Sequence, residues 1–183
     1  HPSDNRVEIN RSRLALEMTS QGRQVVIVSS GDPGVFAMAA AVLEAVDYGD
    51  PAWRDLDIRI LPGITAMLAA AAACGAPLGH DFCAINLSDN MKPWSVIDKR
   101  LRLAAEADFA MAFYNPRSKS RPDGFGKALK TLQEICDKDR PMIFARNISL
   151  SDQTIQIVPI NEVQEDMADM RTVVLLGSSQ TRI

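Results

Sequence analysis

Two strand–turn–helix units in succession, followed by short apolar strands separated by polar turns, predict an α/β fold in two lobes. Gln24-Val25-Val26-Ile27-Val28-Ser29 is a continuous β-branched run, broken by Ser30-Gly31-Asp32-Pro33-Gly34 and followed by the Ala-rich stretch Val35–Val46. Asp57-Ile58-Arg59-Ile60-Leu61 repeats the pattern, and Pro62-Gly63 turns the chain into a helix over Thr65–Cys74. Runs of this kind mark strands buried on both faces of a parallel sheet. Pro141–Arg146, Thr154–Ile157 and Thr172–Leu176 lie too close together for helical crossovers, so they predict antiparallel neighbours in a mixed sheet.

The remaining elements follow in chain order. Asn10-Arg11-Ser12 opens a helix running to Gly22, with Leu14, Leu16 and Met18 as its apolar members. Asp50-Pro51 and Trp53 read as a loop, and Gly75-Ala76-Pro77-Leu78-Gly79 as the junction between lobes. Phe82–Leu87 and Phe109–Tyr114 read as strands flanking a helix over Trp94–Glu106. A polar loop covers Asn115–Pro122, and a helix over Gly124–Cys136 carries Lys127, Lys130 and Glu134 on its wet face. The expected division is a first lobe over residues 1–76 and a second over 77–183.

The chain has 183 residues, 46% hydrophobic and 23% charged, which places it among globular proteins. A formal charge of −3 argues against a dedicated nucleic-acid binder. Cys74, Cys83 and Cys136 are spaced too widely for a zinc knuckle or a redox pair and read as free buried thiols, so no metal site is expected. No apolar run is long enough to span a membrane, and the start lacks the regions of a secretory signal. The expectation is a cytoplasmic protein without membrane partners.

In open α/β sheets ligands bind beyond the carboxyl ends of the strands. The glycines of Ser30–Gly34 let backbone groups approach a ligand, and Pro62-Gly63-Ile64-Thr65-Ala66 repeats the arrangement one strand later. Either loop alone is equally an ordinary strand-to-helix turn with Asp32 or Thr65 as N-cap. Neither is a Walker A loop or a G-x-G-x-x-G fingerprint, so NAD and ATP lose ground. Arg117, Lys119 and Arg121, in a loop bracketed by Pro116 and Pro122, form a positive rim on an acidic chain, suited to steering a polyanion. Arg146 ends a strand, and Leu176–Thr181 contains another glycine turn. His80, Ser88 and Asp89 are the candidates for acid–base work. No Ser-His-Asp arrangement, H-E-x-x-H or catalytic carboxylate pair can be assembled, which leaves a hydrolase little to stand on.

Together the loops resemble the tetrapyrrole (corrin/porphyrin) methylases. Ser30-Gly31-Asp32-Pro33-Gly34-Val35-Phe36 resembles the family's G-D-P motif, and Pro62-Gly63-Ile64-Thr65-Ala66 its P-G-[IS]-[ST] motif. Val28–Met38 and Phe113-Tyr114-Asn115-Pro116-Arg117-Ser118-Lys119 are similar to the branch that methylates C(17) of precorrin-3B. Gly177–Thr181 fits its C-terminal motif, with Ser178 in place of Asn. The resemblance covers Gln24 to the C-terminus. The family's G-x-G-P-G turn is not found, so a strand–helix unit of roughly 30 residues is expected upstream of His1. That leaves a parallel-sheet first lobe that lacks its first strand, and a mixed-sheet second lobe.

The resemblance implies S-adenosylmethionine as cofactor, folded between the lobes and contacted mainly by the main chain at Ser30, Gly31, Asp32, Val35, Thr65, Ala66, Asn115 and Ile148. It implies a tetrapyrrole substrate whose carboxylates would be met by Arg117, Lys119, Arg121 and Arg146. It also implies a homodimer and a place in cobalamin biosynthesis, where methylation of C(17) accompanies ring contraction. The alternatives are the cobalt-containing counterpart of that substrate and a fragment without activity.

Overall fold

The computed structural model describes residues 8–90 and 92–182. They form two compact units, His1–Thr65 and Ala66–Ile183. The polar start, residues 1–7, lies outside the described residues. The units divide between Thr65 and Ala66, whereas the sequence reading set the division after Ala76.

The first unit holds helix α1 (Glu8–Ser20), helix α2 (Met38–Tyr48) and a 3₁₀ turn, Pro51–Asp55. Leu16, Ala45 and Trp53 form its small core, with Val42, Val46, Leu56 and Ile58 packed against them. The 3₁₀ turn exists because Asp50 caps it: the Ala52 amide donates to Asp50 Oδ1 at 2.9 Å. Trp53 lies so close to Gly49 that a Cβ there would run into the indole ring.

Residues 24–29 and 57–61 have no regular secondary structure and form no ladder with any described residue, a correction to the two strands expected there. Their parallel pairing is therefore not formed among the described residues. Val25, Ile27 and Ser29 are half-buried, while Val26 and Val28 are 84% and 89% exposed. A β-branched run states a preference for a pleated, covered surface. Burial on both faces additionally requires packed layers above and below the strand. The helix expected from Val35 begins at Met38. The reason is Phe36, whose positive φ of 52° interrupts the helical dihedrals.

The second unit is built on one five-stranded sheet. Its members are helix α3 (Ala66–Ala73), strand β1 (Phe82–Asn86), helix α4 (Trp94–Glu106), strand β2 (Ala110–Tyr114) and helix α5 (Gly124–Gln133). Strands β3 (Pro141–Arg146), β4 (Thr154–Pro159) and β5 (Thr172–Leu176) complete it. The order is β1-β2-β5-β3-β4. β1 and β2 are parallel, joined through α4, and the other pairs are antiparallel, which is the mixed sheet expected.

Strand side chains alternate between the faces. Met111, Phe113, Met142, Phe144, Val174 and Leu176 meet α4 and α5, whose Ile97, Leu101, Phe125 and Leu132 are fully buried. On the opposite face Ala112, Ile143, Val173 and Leu175 receive α3 through Ala70 and Ala71, small side chains that let helix and sheet approach closely. No helix among the described residues is long and apolar enough to cross a membrane.

Strand direction sorts the loops. The ends of β1, β2 and β3 share one edge of the sheet with the starts of β4 and β5, since Asn86 pairs with Tyr114 and Arg146 pairs with both Thr154 and Thr172. The starts of β2 and β3 share the other edge with the end of β5.

Candidate functional site

In the first unit the turns after residues 24–29 and 57–61 come together. Asp32 Oδ1 accepts the Gly34 amide at 2.7 Å, and Oδ2 accepts the Gly63 amide at 3.1 Å. Asp32 therefore clasps one turn to the other and is not the N-cap of α2, where Ala37 stands. A Cβ on Gly63 would collide with the Gly31 carbonyl oxygen, so only glycine permits this approach. Gly31 itself has φ +71°. Ser30, Gly31 and Gly34 are exposed, Val35 is half-buried with its amide donating to the Asp32 carbonyl, and Thr65 is buried. Apart from Thr65, these positions and Asp32 present an accessible rim of main-chain groups.

A groove of about 860 Å³ reaches from this rim along residues 24–29 and 56–61, lined largely by aliphatic side chains such as Leu16, Val42, Ile27 and Ile58. That lining is the chemistry of a core layer. The turns at its end, with exposed carbonyls and amides, are the polar part suited to a nucleoside.

In the second unit the edge after β1, β2 and β3 carries Asn115 and Ile148. Asn115 has φ +52°, and its side-chain amide donates to Asn86 Oδ1 at 3.1 Å. The same Asn86 oxygen accepts the Ser88 amide at 2.9 Å, so Asn86 ties the turn after β1 to the turn after β2. Tyr114 Oη accepts the Met67 amide in the first turn of α3 at 3.0 Å. Asn147 and Ser149, either side of Ile148, also have positive φ, at 49° and 69°. Three non-glycine residues in left-handed backbone along one edge is a concentration of strain typical of ligand-bearing turns. Ala66 is the first residue of α3 and half-buried.

The four expected substrate cations are not all brought together. Arg117 and Arg121 belong to the turn after β2. There the backbone of Ser118 pairs with that of Arg121, and Arg117 Nε donates to the Pro122 carbonyl at 3.1 Å. Lys119 is exposed at its tip. Arg146 is engaged elsewhere: its Nε meets Asp169 Oδ2 at 2.9 Å. Burial pushes the Asp169 carboxyl up, but Thr172, Arg146 and the Arg171 amide together hold it below the usual carboxylate range.

The acid–base candidates separate as well. Ser88 and Asp89 follow β1 at the edge bearing Asn115. His80 precedes β1 and is exposed. A strand of this length sets it roughly 16 Å away. The C-terminal turn also lies at the far edge. There Asp108 accepts both the hydroxyl and the amide of Ser179, at 2.6 and 2.8 Å, and Arg140 donates to Asp108 at 2.9 Å. Ser179 draws the Asp108 carboxyl below its ordinary range despite some desolvation, and the Arg140 charge adds to the effect. This network anchors the end of the chain. The three thiols are free, and burial pushes each up, as befits core cysteines.

Sequence reasoning missed Asn86 and Tyr114. A polar residue ending an apolar strand was a weak signal for the first. Nothing local marked the tyrosine, because its partner lies 47 residues away.

The chain is 54% identical over 181 residues to the precorrin-3B C(17)-methyltransferase of Sinorhizobium sp, covering 99% of this chain and 71% of that protein. The solved methyltransferase CobJ superposes with a TM-score of 0.97 at 61% identity, over 100% of this chain and 76% of that one. A uroporphyrin-III C-methyl transferase from Thermus thermophilus, solved with S-adenyl homocysteine, shares the fold, with a TM-score of 0.65 at 20% identity over 92% of this chain and 72% of that one. Residues 3–164 match the family described as Tetrapyrrole (Corrin/Porphyrin) Methylases. The clasped glycine turns, the mixed sheet and these likenesses converge, and the chain belongs to the tetrapyrrole methylases.

Proposed function

We propose that this chain methylates C(17) of precorrin-3B with S-adenosylmethionine, in the step of cobalamin biosynthesis that also contracts the ring. The observation that carries the reading is the Asp32 clasp, which brings the Gly31 and Gly63 turns into contact with exposed main-chain groups. The 54% identity to a precorrin-3B C(17)-methyltransferase supports the substrate. The S-adenyl homocysteine held by the Thermus thermophilus relative supports the cofactor.

S-adenosylmethionine, when bound, supplies an electrophilic methyl group already activated by its sulfonium. The chain's own work is positioning. Ser30, Gly31, Asp32, Val35 and Thr65 in the first unit hold the cofactor mainly by main-chain contacts, which bind polar edges without charge. Ala66, Asn115 and Ile148 are the corresponding contacts of the second unit. Holding the two reactants in line and excluding water is worth about 7–11 kcal/mol in favourable cases. Arg117, Lys119 and Arg121 supply positive charge for the substrate's carboxylates, which an arginine can grip bidentately where a lysine cannot. Ring contraction needs a proton donor or acceptor, and Ser88 and Asp89 are the candidates at the edge that bears Asn115. The protein acts in the cytoplasm as a homodimer, which sedimentation velocity tests directly.

Calorimetry with S-adenosylhomocysteine, followed by methyl transfer to precorrin-3B read by mass, tests the function. Micromolar binding and a product heavier by one methyl group are expected. No heat at millimolar ligand with the fold intact overturns the reading in favour of an inactive fragment. Turnover of the cobalt-containing substrate alone moves the assignment to that counterpart.

A further inference from the structure

A second, smaller pocket opens in the second unit at the edge that carries Asn115. It holds about 160 Å³ between Leu87 and Asp89 after β1, Trp94 at the start of α4, the Ser120–Asp123 turn, and Gly124 and Lys127 of α5. That is less than the roughly 300–1,000 Å³ that enclose whole ligands, and enough for a side arm of one.

Three features give this pocket a chemical preference. Arg121 Nε is buried and has no hydrogen-bond partner among the described residues. A buried N–H of a permanent cation without an acceptor costs free energy, so it marks a place where an acceptor belongs. Lys127 stands 5.6 Å from the centroid of the Trp94 ring, a cation–π contact that holds its ammonium at the pocket wall. The first turn of α5 faces the same space with no side-chain cap on its amides. Asp89 and Asp123 also line the pocket. The lining thus carries two cations, Arg121 and Lys127, against two carboxylates, and its preference rests on the unpartnered Arg121 Nε rather than on an excess of positive charge.

We propose that this pocket is a carboxylate subsite, in which Arg121 and Lys127 bind one carboxyl-bearing arm of the tetrapyrrole. The assignment rests on the functional reading above and sharpens it. The positive rim is not a uniform steering field. It contains one built position, at Arg121, while Arg117 is held by the Pro122 carbonyl and Lys119 lies in solvent. Lys127 was not among the cations expected from the sequence. The helix period turned it toward the loop.

The test is steady-state methyl transfer to precorrin-3B by the full chain and by R121K, R121Q, K127Q and K130Q, with S-adenosylhomocysteine affinity measured alongside. R121Q and K127Q are expected to raise KM for precorrin-3B about tenfold, with kcat within about twofold and cofactor affinity unchanged. K130Q, on the same helix outside the pocket, is expected to behave as the parent. R121K separates charge from the planar fork and is expected to fall between parent and R121Q. The exposed Lys127 keeps the test decisive if R121Q folds poorly. Unchanged KM in K127Q and R121K, with cofactor binding and turnover intact, overturns the subsite and leaves the function standing. Absence of cofactor binding by the parent overturns the function, and the subsite falls with it.

Discussion

Asp32 reaches across 31 positions of chain to accept the Gly63 amide, and this bond joins the two turns on which cofactor recognition is proposed. Its other oxygen holds the Gly34 amide, so one side chain sets the shape of both turns.

Replacing Asp32 tests that clasp. Asp32→Ala is expected to lower stability by about 1 kcal/mol, because the site is partly exposed and the orphaned amides regain water. S-adenosylhomocysteine affinity is expected to drop at least tenfold. Asp32→Asn keeps one acceptor oxygen and is expected to retain more of both. Calorimetry paired with urea unfolding separates the two effects.

Glycine at position 63 is a steric requirement. Gly63→Ala drives a methyl into the Gly31 carbonyl oxygen, which forces the turns apart. The expected cost is about 3 kcal/mol together with loss of cofactor binding. In Gly79→Ala the new methyl meets only the Ala76 carbonyl, at 3.4 Å. That variant is expected to cost under about 1 kcal/mol. Equal melting temperatures for the two variants would refute the contact.

The left-handed backbone of Asn115 combines strain with a bond to Asn86. Asn115→Gly relieves the strain and loses the bond, whereas Asn115→Ala loses the bond and keeps the strain. The alanine variant is therefore expected to be the less stable by about 1 kcal/mol. Asn86→Ala is expected to weaken substrate turnover through the same turn. Thermal melts and single-turnover rates decide both points.

The far edge sets part of the acid sensitivity. The Asp108 carboxyl has a lowered pKa in the folded protein. Its contribution is therefore present above the unfolded value of about 3.9 and is lost as pH falls through the folded value. Asp108→Asn leaves the buried Arg140 without its nearest carboxylate. The expected cost is about 2–3 kcal/mol at neutral pH, below that of a fully buried pair because Asp108 is partly exposed. Below pH ~4 the variant's stability is expected to fall less steeply than the parent's. Parallel slopes in urea melts across the acid range would refute the assignment.

Much of this was legible in the chain itself. Apolar runs bounded by glycine and proline located β1 to β5 within a residue or two, and α4 at both ends. Short polar turns between the last three strands foretold their antiparallel pairing. The Gly-Asp-Pro and Pro-Gly turns marked the candidate cofactor loops, since glycine where a backbone must approach closely is a local signal. The failures share one cause. Val26 and Val28 read as doubly buried, yet exposure depends on whether neighbours cover them, and no local pattern reports that. The ion pair of Arg146 was not legible either, because its carboxylate partner Asp169 stands 23 positions later.

The order of residues by itself determined which segments fold locally, where the chain turns, and the types of side chain available at each turn. These depend on dihedral preference and on periodicity over a few neighbours. Tertiary structure alone decided which distant groups meet: Asp32 with Gly63, Asn86 with Asn115, Tyr114 with α3, and Leu87 and Trp94 with Arg121 around one small pocket. Hydrogen bonds and charge pairs act over a few ångströms, and only packing brings residues tens of positions apart within that range.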